Sequence, residues 1–199
     1  RKLVSAIKRN AKFDDIIIKD GNDNVSGNKT LYFDHVWCTS DGLIVHRNTS
    51  VVFKNGGCKT PRKFIVPGKF KEVDIAITIA SLWCDGIWHF PMEALVALSA
   101  LKKKESKLPI HITKINNYVL QWLKILNIYN KILDGNIFAK RLIVPEMGKC
   151  GAPSPLQVKW LYNNIKPKLI EPLDNKKTII LTKRTKSRQM HNFKKLENI

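Results

Sequence analysis

Val73-Asp-Ile-Ala-Ile-Thr-Ile-Ala80 runs into Ser81-Leu-Trp-Cys-Asp-Gly-Ile-Trp-His-Phe90 and then into Pro91-Met-Glu-Ala-Leu-Val-Ala-Leu-Ser-Ala-Leu101. The first piece is an apolar, β-branched run of strand length, the second a loop with Asp-Gly at its turn, and the third starts at a proline. Proline is tolerated at a first helical position because its missing N–H would be unpaired there anyway. Met92, Leu95, Val96, Leu98, Ser99 and Leu101 then supply a buried face, and Lys102-Lys103-Lys104 follows where a helix dipole favours cations. This strand, loop and helix decide the fold class, because the same rhythm continues after them.

Pro109 to Thr113 and Lys140 to Val144 read as further strands. Between them Asn117 is placed to cap a helix with Leu120, Leu123, Lys124 and Leu126 along one side. Ser154-Pro-Leu-Gln157 matches a capping box opening a helix with Val158, Leu161 and Ile165 on its stripe, and Lys176 to Thr182 is a last strand. Alternating strands and helices predict an α/β protein with a Rossmann-like, mostly parallel sheet and helices on both faces. Upstream the pattern is β-rich, with Leu31–Trp37, Leu43–His46, Ser50–Phe53 and Lys63–Val66 as short runs and Asp41-Gly42 and Asn55-Gly56 as hairpin turns. The two prolines in Lys166 to Pro172 read as a linker. The expected organisation is therefore a β-rich segment over 1–72, an α/β part and linker over 73–172, and the start of a second domain over 173–199.

The composition narrows the partners. The formal net charge is +19 over 199 residues with 44% hydrophobic content, which points to a real core and to anionic partners such as nucleic acid, an acidic membrane surface or phosphate-bearing small molecules. Residues 176–199 alone hold eight Lys or Arg against Glu197. No stretch reaches the roughly 18–20 consecutive apolar residues of a membrane span, and no signal-peptide core opens the chain. Cys38, Cys58, Cys84 and Cys150 form no Cys-x-x-Cys pair, so all four are expected as free thiols in a reducing, cytoplasmic setting.

In open α/β sheets ligands bind beyond the carboxyl ends of the strands. Three segments fall there. Cys84 to Glu93 brings an imidazole, His89, and two carboxylates, Asp85 and Glu93, to the start of a helix, which are the groups a general base requires. Pro145 to Ser154 is a small-residue loop before a helix N-terminus. Lys183, Arg184 and Arg188 offer paired N–H donors and point charges suited to a diphosphate. There is no Gly-x-Ser-x-Gly elbow, and acids are sparse for a two-metal centre, so no metal and no cofactor are predicted.

The order strand, Trp88-His89-Phe90 with Pro91 and Glu93 opening a helix, two further strand and helix units, then Leu181-Thr-Lys-Arg184-Thr-Lys-Ser-Arg188-Gln-Met-His-Asn192 before Leu196-Glu197, resembles glycosyltransferase family 61. The resemblance covers about residues 73–199. It implies an inverting glycosyltransferase of the two-domain GT-B type, moving a sugar from a UDP-linked donor to a glycan or glycoprotein hydroxyl. His89, Glu93 or Asp85 would be the base, and Lys183, Arg184, Arg188 and Asn192 would hold the donor diphosphate. The family continues with most of a second domain, so the resemblance implies an incomplete one here. The rival is a basic nucleic-acid-binding module, with Trp37, Trp83, Trp88 and Trp160 to stack bases. The spread of the cations and the lack of a known binding motif disfavour it. A catalytically inactive scaffold for a larger synthase is a third possibility.

Overall fold

The structure is a computed structural model, which describes residues 18–20, 29–46, 52–54, 69–148, 150 and 152–169. Eight strands form one sheet: β1 (Ile18–Asp20), β2 (Thr30–Cys38), β3 (Leu43–His46), β4 (Val52–Lys54), β5 (Lys71–Thr78), β6 (Ile110–His111), β7 (Ile132–Leu133) and β8 (Ile137–Pro145), in the order β1-β4-β3-β2-β8-β5-β6-β7. Among the described residues the regular helices are α1 (Asn117–Ile125) and α2 (Pro155–Ile165). By contact the chain divides into two units, 1–168 and 169–199, and every described residue but Leu169 lies in the first.

The sheet is mixed. β8, β5, β6 and β7 run parallel to one another, β1 is parallel to β4, and the β2–β8, β2–β3 and β3–β4 ladders are antiparallel. The β-rich N-terminal strands are thus the other half of the same sheet, joined by a long ladder from Thr30↔Pro145 to Cys38↔Ile137. Leu43–His46 and the Asp41-Gly42 turn stand where the sequence put them, with Gly42 at φ +77 and its N–H donating to Thr39 O at 2.9 Å. Only glycine fits there, because a Cβ would come within 2.0 Å of Ala80 O.

The sheet curls because three strands slip their pleat together. On a regular strand alternate side chains share a face. Yet Phe33 then Val36, Val73 then Ala76, and Ala139 then Leu142 all point into one apolar cluster. The slip falls at His35, Asp74 and Lys140, where the ladders skip a pair and His35 takes φ +55. Beyond the slip Cys38 Sγ comes within 3.6 Å of Thr78 Oγ1, and Leu133 joins Ile137 and Val144 in the same cluster.

Among the described residues the helices do not cover both faces. All helical side chains of the core among these residues belong to one cluster, with Phe90, Leu95, Val96, Val119, Leu123 and Leu161 packed on Ile77, Ile79 and Ile143. The second cluster, on the other face, is built by strand residues alone. A sheet that folds onto itself covers its second face without helices.

Local details differ in instructive ways. The predicted helix from Pro91 is a π-helical turn, Phe90–Ala94, followed by a 3-10 stretch, Leu95–Ala100, of which Phe90, Pro91 and residues 93–98 are buried. Asn116, not Asn117, caps α1, its Oδ1 accepting from Val119 N at 2.9 Å. The Ser154–Gln157 capping box is present, with Ser154 N donating to Gln157 Oε1 at 2.9 Å, a motif worth about 1 kcal/mol. Val158 is exposed, and Leu161 alone of its predicted stripe is buried. The Lys63–Val66 and Lys176–Thr182 strands and the Asn55-Gly56 turn lie outside the described residues.

Candidate active site

Because β5 and β8 are parallel, the loops that follow them emerge at one end of the sheet. After β5 the chain is pinned by Ser81 N, which donates to Thr113 Oγ1 at 3.0 Å, while Thr113 Oγ1 donates to Ser81 O at 2.7 Å. It then makes two tight turns, with Cys84 N donating to Ser81 O at 3.1 Å and Gly86 N to Trp83 O at 2.9 Å. Trp83 sits at φ +68, a backbone region that is costly for a bulky side chain.

These turns deliver His89 and Glu93 to each other. His89 Nδ1 lies 2.5 Å from Glu93 Oε1, one helical turn away. Glu93 is completely buried, whereas the His89 side chain is 29% exposed. With Nδ1 donating to the Glu93 carboxylate, Nε2 is left with a lone pair; among the described residues Nε2 has no partner. That is the arrangement of a general base held by an orienting carboxylate.

The second loop locks the first. Gly148 N donates to Glu93 O at 3.2 Å, and a Cβ on Gly148 would come within 2.5 Å of Met92 O. The wide π turn accommodates this contact, as π turns often do beside functional groups. Gln157 Nε2 anchors the loop by donating to Glu146 O at 2.8 Å, so the α2 capping box and the dyad share one support.

Cys84 closes the dyad from below, its Sγ 3.9 Å from Glu93 Oε2. Burial, and then the Glu93 carboxylate, push this thiol well above its usual pKa, so it is an inert neighbour and not a nucleophile. The Ser81 hydroxyl is buried and has no conventional hydrogen-bond partner; it lies beside Cys84. Asp85 is not part of the dyad. Its backbone carbonyl accepts from Asn116 Nδ2 at 3.1 Å.

Lys183, Arg184, Arg188 and Asn192 lie outside the described residues, so the structure brings together only His89 and Glu93 of the predicted site. Among the described residues no group of three or more His, Cys, Asp or Glu could hold a metal, and no helix is long and apolar enough to cross a membrane. Cys38 and Cys84 are free thiols, but Cys150 is disulfide-bonded, which corrects the expectation of four free cysteines.

Sequence reasoning missed a second histidine. His111 is fully buried at the end of β6, its Nε2 2.7 Å from Gly135 O and its Nδ1 3.0 Å from Thr78 Oγ1. A carbonyl only accepts, so Nε2 donates and Nδ1 accepts from the Thr78 hydroxyl. Burial lowers its pKa to about 4. The only hint was a histidine between two isoleucines in Pro109 to Thr113.

No protein-family model matches this chain, and neither a curated protein nor a solved structure does.

Proposed function

We propose that this protein is an inverting glycosyltransferase in which His89, oriented by Glu93, takes the proton of an acceptor hydroxyl. The hydroxyl oxygen bonds to the anomeric carbon of a UDP-sugar, the bond from that carbon to the diphosphate breaks, and the diphosphate leaves with the electron pair. The observation that carries the reading is the His89–Glu93 pair at the carboxyl end of parallel β5, with one ring nitrogen held by a buried carboxylate and the other unpartnered among the described residues. The +19 charge supports an anionic donor. In this reading Lys183, Arg184, Arg188 and Asn192 neutralise the diphosphate, the sheet is the Rossmann-like part of a GT-B enzyme, and residues 173–199 begin its donor domain.

The test is calorimetric titration of the chain with UDP, UDP-xylose, UDP-glucose, UDP-N-acetylglucosamine and a GDP-sugar, followed by transfer assays. Selective, salt-tolerant binding of one UDP-sugar supports the reading; silence toward all of them sinks it. The net charge also favours a nucleic-acid-binding module. A short oligonucleotide whose affinity collapses between about 50 and 200 mM salt would establish that alternative. Cytoplasmic location belongs to the transferase proposal, and the Cys150 disulfide weighs against it, so fractionation with a thiol count is its check.

A further inference from the structure

The loop that carries His89 presents an apolar lip. Trp83 is 54% exposed, Ile87 79% and Trp88 55%, in a stretch whose neighbouring side chains, Cys84 and Phe90, are buried. The lip is braced from the next loop, where Tyr118 Oη donates to Ile87 O and Asn116 Nδ2 to Asp85 O. It is therefore a supported surface. Trp83 holds its exposed indole there at φ +68. A side chain that gains little burial and costs backbone strain is kept for what it meets outside the protein.

The charge around the lip says what that is. Although 35 of 199 residues are Lys or Arg, residues 81–101, which carry the lip, contain neither, and Asp85 stands between Trp83 and Ile87. The loop packed against the lip contributes one exposed cation, Lys114. A surface that bound the phosphates of nucleic acid would concentrate cations, and this one excludes them from its own segment. Indole faces on a segment that carries no cation of its own suit an uncharged ligand with C–H faces and hydroxyl edges, which is a neutral sugar ring.

We propose that Trp83, with Trp88 and Ile87, forms the subsite for a neutral glycan, stacking the acceptor sugar so that its hydroxyl reaches His89 Nε2. The word acceptor rests on the transferase reading; glycan binding itself does not.

The experiment measures binding of xylohexaose, cellohexaose and an N-acetylglucosamine hexamer without donor, by calorimetry and tryptophan emission, with heparin and oligo-dT as anionic controls. The comparison protein is Trp83→Gly, because glycine adopts positive φ freely and removes the strain together with the indole. Binding of at least one neutral hexamer, weakened tenfold or more in W83G while its melting temperature is unchanged or raised, supports the lip. A Trp83 with a merely structural role would instead lower the melting temperature. Unchanged glycan affinity in W83G, no binding of any neutral hexamer at 10 mM, or stronger Trp83-dependent binding of the anionic polymers would overturn it. The two claims separate cleanly. UDP-sugar transfer with an unaltered acceptor KM in W83G removes the lip and keeps the transferase. Trp83-dependent glycan binding without any nucleotide-sugar binding does the reverse.

Discussion

Two histidines stand at the ends of neighbouring parallel strands and have opposite fates. His89, beyond β5, faces a buried carboxylate with one nitrogen and leaves the other unpartnered among the described residues at a partly exposed site. His111, ending β6, spends both nitrogens on the Thr78 hydroxyl and the Gly135 carbonyl inside the fold and is held neutral. Proximity to a strand end is thus a poor criterion for a catalytic histidine. The criterion that separates the two is an unspent nitrogen together with an orienting carboxyl group.

The sharpest way to break this comparison is His89→Asn, which preserves a donor toward Glu93 but removes the base. It should cost about 10²–10⁴ in kcat with little change in donor affinity. The equivalent change at His111 should leave donor affinity and turnover within a few-fold while lowering stability by about 1–3 kcal/mol, because two buried hydrogen bonds, to the Thr78 hydroxyl and the Gly135 carbonyl, are lost. Equal kinetic losses in both variants would erase the distinction.

Acid sharpens it next. The folded pKa of His111 is depressed from 6.5 to about 4, so between those values the unfolded chain binds the proton that the folded one does not. Its contribution is fully present above pH 6.5 and is lost as pH falls toward 4. The loss should be about 3 kcal/mol, read as a falling urea midpoint, and H111N should flatten that part of the profile. An unchanged profile in H111N would show that other groups govern acid stability.

Gly148→Ala probes the support of the dyad. Its Cβ would meet Met92 O at 2.5 Å, so the backbone must shift under Glu93. The expected cost is about 1–3 kcal/mol, with a kcat loss larger than the change in KM. The smallest effect belongs to Asp74→Asn. The Asp74–Lys140 pair closes at 2.6 Å across the pleat slip, but both side chains are largely in water, so the denaturation midpoint should stay within error.

Sequence legibility followed the range of the interactions. The Asp41-Gly42 turn, the Leu43–His46 strand and the Ser154–Gln157 capping box involve residues within four positions of one another, and all three are present. The stretch from Cys84 to Glu93 offered His89, Glu93 and Asp85 as candidate bases, and the structure pairs the first two across a single helical turn. What could not be read depends on distant partners. The antiparallel joint between β2 and β8, the support of Glu93 by Gly148, and the use of His111 as core each join segments far apart in the chain.

By itself the sequence determined the α/β character, the Asp41-Gly42 turn and the Ser154–Gln157 cap, because turn chemistry and helical periodicity act within a few residues. Only the tertiary structure decided that the sheet is mixed and curled, that the helices share one face, and which of the two histidines keeps a nitrogen unspent. Strand order and burial depend on which distant apolar faces meet, and the same period-2 pattern satisfies many pairings. The choice among them rests on the slip at His35, Asp74 and Lys140, which no single segment encodes.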